Sequence, residues 1–150
     1  LQVQAKCKYQ DENYWSHSVN SPVYNAWSGF AFEMLCLNHV PQIKAALKIE
    51  GVQTSVYCWR TPAQAERGAQ IDLLIDRADH CVNLCEMKFC RGKYTITKAE
   101  REKIENRMQS FIAYSKTKSS IRLTMITSFG VEKNTNSGII QNELTLEDLF

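Results

Sequence analysis

Two short apolar segments joined by three residues, QIDLLIDR (70–77) and CVNLCEMK (81–88), constrain this chain more than any other feature. Each has the length and the aliphatic content of a buried strand, and Ala78-Asp79-His80 has the length of a three-residue hairpin loop. Each also carries an acid where a core would take an aliphatic residue: Asp72 in the first, Glu86 in the second, with Lys88 two positions on. Side chains alternate between the two faces of a strand, so Gln70, Asp72, Leu74 and Asp76 are expected on one face, and Val82, Leu84, Glu86 and Lys88 share a face of the next strand. Closing the hairpin with Arg77 opposite Cys81 sets Leu74 opposite Leu84 and Asp72 opposite Glu86.

Opposed carboxylates repel when both are ionised. Either one is protonated or a cation sits between them. A divalent metal resolves the conflict: Mg²⁺ takes a few carboxylate oxygens and keeps several waters, and Lys88 on the same face can hold an attacking water or stabilise charge developing on a phosphate. The alternative is a pair of strand-edge acids that form salt bridges with Lys88 or Arg77. A one-residue slip in register would also separate the two acids.

The remaining chain supplies the setting. At 150 residues and 44% hydrophobic, it suits one globular domain with a core of its own. Residues 1–27 are polar and aperiodic with scattered aromatics, and the chain opens on Leu1, so they are expected to be an arm or linker from a longer polypeptide, with the domain over 28–150. Tyr14, Trp15, Tyr24 and Trp27 are expected to pack that arm onto the domain. No apolar run has the roughly 18 residues of a membrane span, and no signal-peptide pattern is present, so a soluble, cytoplasmic domain without a membrane partner is expected.

A net charge of +2 advertises no general attraction for nucleic acid. The six cysteines contain no CxxC pair, and Cys36, Cys58, Cys81 and Cys85 fall in apolar segments, which favours buried free thiols over disulfides or zinc. His17, His39 and His80 lack ligand spacing, and there is no GxxxxGK[ST] phosphate loop.

Along the chain, residues 28–47 carry apolar side chains at helical spacing (Phe30, Met34, Leu37; Ala31, Leu35), with Ser28 as a plausible N-cap and Pro41 ending one helix or starting another. VQTSVYCWR (52–60) reads as a strand. TKAEREKIENRMQSFIAYSK (97–116) is the clearest helix, opened by a Thr97/Glu100 capping box and striped with Ile104, Met108, Phe111 and Ile112. IRLTMIT (121–127) alternates as a strand, and the C-terminus reads as a short strand followed by a brief helical end. The order is helix, three strands, helix, strand: an α/β protein with a mixed central sheet flanked by helices.

Asp72 followed across a hairpin by Glu86-Met87-Lys88, with Glu33 on a preceding helix, resembles the signature of the PD-(D/E)XK nuclease superfamily, whose restriction-endonuclease-like core has the same αβββαβ order. More narrowly, WSGFAFEMLCLNH, GAQIDLLIDR, NLCEMKF and the closing LTLEDLF are similar to the nuclease-like domain at the C-terminus of certain bacterial and archaeal AAA-type ATPases, a likeness that spans residues 14–150. The resemblance implies that Asp72 and Glu86 ligate Mg²⁺ or Mn²⁺, that Lys88 is the catalytic lysine, and that Glu33 is a further acid from the helix. On its own pattern Glu33 is equally a residue flanking an apolar stripe. Gln70 can orient a ligand from behind the metal-binding acids, or be simply the polar start of a strand. Ile71 stands where the superfamily's name has proline, a common departure.

Arg91, Lys93, Lys98, Arg101 and Lys103 follow the ExK motif and can contact phosphates, or form a solvated face balanced by Glu100, Glu102 and Glu105. The expected function is metal-dependent hydrolysis of DNA phosphodiester bonds by a domain joined to an ATPase in the same longer chain. The competing expectation is a catalytically silent module of the same fold that binds nucleic acid or a partner and regulates that ATPase.

Overall fold

The computed structural model describes residues 21–150. Helix α1 spans Pro22–Asn38 and is started by Ser21, whose hydroxyl accepts the Tyr24 amide at 3.1 Å, with Pro22 in the first turn where its missing N–H costs nothing. Helix α2 (Val40–Ala46) follows at once, with Pro41 in its first turn. Strands β1 (Thr54–Arg60), β2 (Gln70–Arg77) and β3 (Cys81–Lys88) come next, then helix α3 (Lys98–Ser115), strand β4 (Ser120–Thr127) and strand β5 (Asn142–Thr145), and a last 3-10 turn over Leu146–Leu149. The sheet order is β1-β2-β3-β4-β5. The first three strands are antiparallel neighbours, whereas β3, β4 and β5 run parallel, and α3 makes the crossover that a parallel β3–β4 pair requires. The protein is thus an α/β structure with a mixed five-stranded sheet between helices.

Two apolar clusters seal the layers. Phe32 and Cys36 of α1 and Ile43 of α2 pack with Leu73, Ile75, Cys85, Met87 and Ile126 on one face of the sheet. On the other, Ile104 and Phe111 of α3 pack with Ile71, Leu74, Val82, Leu84 and Leu123. The Thr97/Glu100 capping box forms as the sequence indicates, with Glu100 accepting the Thr97 amide at 3.0 Å. The expected apolar stripe on α3 holds at Ile104, Met108 and Phe111, but Ile112 turns to solvent.

The hairpin closes on Ala78-Asp79-His80 with Arg77 opposite Cys81 and Leu74 opposite Leu84, in the expected register. His80 takes the left-handed backbone (φ 61°) that lets a three-residue loop return the chain. Arg77 secures the loop with two hydrogen bonds to Asp79, at 2.5 and 2.9 Å. Its partner is therefore a loop acid, not Asp72 or Glu86.

Three expectations change. Helix α1 starts seven residues earlier than Ser28 suggests, capped by Ser21, so residues 22–27 belong to it and not to an arm; Tyr14, Trp15 and His17 lie outside the described residues. Ser28 sits within the helix, buried, its hydroxyl donating to the Tyr24 carbonyl at 2.6 Å. The buried face of α1 is Ser28, Phe32 and Cys36, while Val23, Trp27, Phe30, Met34 and Leu37 form an open apolar face. Glu33 is the helix's sole charge, so apolar spacing alone could not select which face turns inward. Lastly, all five described cysteines are free, but Cys58 is exposed, because β1 is an edge strand with most side chains uncovered.

Polar residues also cross the sheet. Asn83 is fully buried on β3; its amide donates to the Thr124 hydroxyl at 3.0 Å, and its carbonyl accepts from Arg77 at 3.3 Å. Asn83→Ala removes these partners without replacing them and is expected to destabilise the domain by about 2 kcal/mol. Urea unfolding should show a lower midpoint at unchanged slope.

Candidate functional site

The site arises where β2 and β3 part. The ladder between them ends at Leu73 opposite Cys85, although β2 continues back to Gln70 and β3 on to Lys88. The cause is visible on the other side of β2. Tyr57 pairs with Leu74 and Trp59 with Ile71, so Asp72 and Leu73 together oppose the single residue Cys58. This β-bulge breaks strict alternation: Ile71 and Leu74 share the α3 face, whereas Leu73 lies on the α1 face. The expected face of Gln70, Asp72, Leu74 and Asp76 is therefore not continuous. Asp72 and Glu86 flank an opening and are not a directly paired rung.

A cavity of about 510 Å³ occupies this opening. Gln70 and Asp72 line it from β2, Glu86 and Lys88 from β3, and Glu33 from α1, so all four residues expected to act on substrate or metal converge on it together with Gln70. Gln70 donates its side-chain amide to the Asp72 carboxylate at 2.6 Å, which fits a group that orients an acid. Glu86 is buried, and its carboxylate accepts from Arg107 of α3 at 2.5 Å. Lys88 forms no ion pair within the described residues. The conflict between the two strand acids is thus relieved by the bulge, by Gln70 and by a guanidinium cation that the strand pattern alone does not reveal.

Charge is concentrated in this space. Burial raises the Glu33 carboxyl above its ordinary value, with Asp72 adding to the rise, Lys88 opposing it and Glu86 adding again. The three acids face four bases, Arg67, Lys88, Lys103 and Arg107. Lys103, Asn106, Arg107 and Ser110 recur at the i, i+3, i+4, i+7 spacing that puts a helix row on one side, here the row of α3 turned to the cavity.

The basic residues expected to meet nucleic acid fall elsewhere. Arg91, Lys93 and Lys98 are exposed and none lines the cavity. Arg91 lies over the Tyr24 ring at 5.7 Å, and Arg101 is engaged by Glu105 at 3.0 Å and by the Thr135 carbonyl at 3.2 Å. Lys103 alone of that cluster reaches the site. The useful signal was the polar row beside the Ile104/Phe111 stripe, which points the same way as the strand acids only once α3 is laid on the sheet.

The donor set suits a hard divalent cation. Its ligand-capable groups are carboxylates, and the cysteine that reaches the cavity, Cys85, is kept as a neutral thiol by burial. Carboxylate oxygens beside a water-accessible space match Mg²⁺ or Mn²⁺, not a thiolate metal. Among the described residues no three His, Cys, Asp or Glu side chains are gathered to hold a metal ion, and Glu86 is engaged by Arg107.

Neither the family models nor the curated proteins compared with this chain gave a match. A solved structure described as a crystal structure of a protein of unknown function, AF1548, is similar in fold, with a TM-score of 0.50 and 14% sequence identity. The similarity covers 77% of this chain and 64% of that one, so the chain spans less than two thirds of its neighbour's length.

Because the folded state favours protonated Glu33, this group opposes folding once it ionises. Its effect is absent below the ordinary value of 4.5 and grows as pH rises through the folded value. In metal-free buffer at neutral pH, Glu33→Gln is expected to melt above wild type, by less than about 1 kcal/mol given solvent screening. The two should converge in acid, and thermal melts across pH check both parts.

Proposed function

We propose that the domain hydrolyses phosphodiester bonds in DNA with the help of Mg²⁺ or Mn²⁺. The observation that carries this reading is the convergence of Glu33, Asp72, Glu86 and Lys88, from one helix and two strands, on a single cavity. Their types and spacing are those of the PD-(D/E)XK superfamily that the sequence resembles. Asp72 and Glu86 are the metal-holding acids, with Glu33 as a third acid from the helix side. When bound, the cation lowers the pKa of a coordinated water and neutralises a phosphoryl oxygen.

The chain's own groups do the rest. Gln70 holds one Asp72 oxygen and so fixes the direction of the other. Lys88, on a strand end anchored by the ladder to β4, orients the attacking water with its ammonium and meets the charge that grows on the phosphate. Lys103 and Arg67 stand at the cavity to neutralise flanking phosphates. The resemblance also places this domain at the end of a longer chain with an AAA-type ATPase, which would feed or gate its substrate.

A second reading is a catalytically silent module of the same fold, which binds nucleic acid or a partner and regulates the ATPase. The Glu86–Arg107 ion pair favours it, because it occupies a carboxylate that metal would need.

Incubation with single- and double-stranded DNA in Mg²⁺ or Mn²⁺ separates the two. Lys88→Ala is expected to lose cleavage by about a hundredfold or more while keeping DNA binding, since one ammonium adds little to a backbone interface yet acts where transition-state charge develops. Glu86→Gln should lose it as well. If wild type, alone and within the longer chain supplied with ATP, cuts no DNA that these variants leave whole, the module reading replaces the nuclease.

A further inference from the structure

Arg107 is the charged cavity residue, among those described, that the proposed reaction leaves without a role. It stands on the middle of α3, its side chain 28% exposed, and its guanidinium donates to Glu86 at 2.5 Å. Glu86 is 9% exposed at its side chain and lies one residue past the end of the β2 ladder on a strand that β4 still pairs, so the ion pair is shielded from bulk water on the strand side and open on the cavity side. A carboxylate in that position needs a cation, because an unpartnered buried charge is strongly unfavourable. A divalent ion in the cavity would be a better partner than the guanidinium for the same oxygens.

We propose that Arg107 couples metal binding to phosphodiester binding: it guards Glu86 until both arrive, then passes the carboxylate to the metal and takes a phosphate oxygen of the nucleic acid. This inference rests on the nuclease reading of the site and adds regulation to it. Each exchange compensates the other. Metal bound to Glu86 would leave the guanidinium unpaired in a partly desolvated cavity, where the two non-bridging oxygens of a phosphodiester match its planar fork of donors. A phosphodiester that draws Arg107 away frees Glu86 for the metal. By reciprocity, whatever factor nucleic acid adds to metal affinity, metal adds to nucleic-acid affinity. Metal alone therefore has to compete with an ion pair, which keeps the site poorly loaded until substrate is present.

Lys88 does not fill this role. It sits on the strand itself and makes no ion pair to be exchanged among the described residues. Lys103 lies one turn of α3 nearer the helix start and, among the described residues, makes no ion pair with a proposed metal ligand.

The test measures Mn²⁺ binding by calorimetry or by loss of the free-ion electron spin resonance signal, in a Lys88→Ala background that keeps a short oligonucleotide whole. With Arg107 intact, saturating oligonucleotide is expected to tighten Mn²⁺ binding about tenfold, the scale of one charge-assisted contact. With Arg107→Gln, Mn²⁺ alone should bind about tenfold tighter than before, and the oligonucleotide should add little further. Arg107→Lys, which keeps the charge but not the fork, should fall between. Unfolding curves verify that each variant is native. If a variant does not fold, the effect of oligonucleotide on Mn²⁺ affinity with Arg107 intact decides alone.

Unchanged or weaker Mn²⁺ binding in Arg107→Gln, or coupling that persists without Arg107, overturns the inference and leaves the nuclease reading intact. Absence of Mn²⁺ binding in every variant, with or without oligonucleotide, overturns both. Cleavage of DNA by protein with Lys88 and Arg107 in place tests the nuclease separately.

Discussion

Strand β3 governs the rest of the structure because almost none of it is free. Neighbouring strands pair with both of its edges as far as Cys85, β4 alone continues to Lys88, helices cover both of its faces, and every residue from Cys81 to Met87 is buried. A polar side chain on such a strand must bring its partner with it. Asn83 does so through Arg77 and Thr124, and Glu86 through Arg107. These two needs fix how α3 and the β4–β5 edge sit against the centre, and they tie a residue at the mouth of the cavity to a helix that otherwise packs through Ile104 and Phe111.

The two sides of the sheet contribute unequally to the site. From one, α1 brings a single acid, held half-buried in a helix that is otherwise uncharged. From the other, α3 brings a row of bases and amides. The cavity is acidic where the strands end and basic where the helix passes, and an anion entering from the α3 side meets cationic groups before it meets carboxylates. On the proposed reading, that polarity would admit a phosphate backbone to a site rich in carboxylates despite the near-neutral charge of the whole chain.

Much of this was legible from sequence where local rules act alone. The hairpin register followed from loop length, the start of α3 from Thr97 and Glu100, and the mixed α/β class from the order of periodic segments. The start of α1 was hidden because Ser28 looks like a cap, whereas Ser21 followed by Pro22 is the stronger start signal. The phase of α1 was hidden for a different reason: with apolar residues on all sides, only packing on β3 selects Phe32 and Cys36 over Phe30 and Met34. Arg107 was illegible because its partner lies 21 positions away on another element and nothing in the helix itself distinguishes it from other surface bases. The bulge escaped because QIDLLIDR reads as an uninterrupted strand, and only pairing with β1 reveals one residue too many.

That surplus residue divides β2 into two lengths of chain with separate obligations. The half from Leu74 to Arg77 keeps step with β3 and the core; in the half from Gln70 to Asp72, Ile71 still packs in the core while Gln70 and Asp72 line the cavity. Changes in chain length are consequently unequal along the strand. A residue lost near the hairpin shifts the pairing of β2 with β3, whereas one lost at the bulge removes the surplus opposite Cys58 and leaves Ile71 on the face of Leu74. Core packing and cavity thus meet at one backbone irregularity, which keeps Ile71 and Leu74 on one face while it opens the start of the strand onto the cavity.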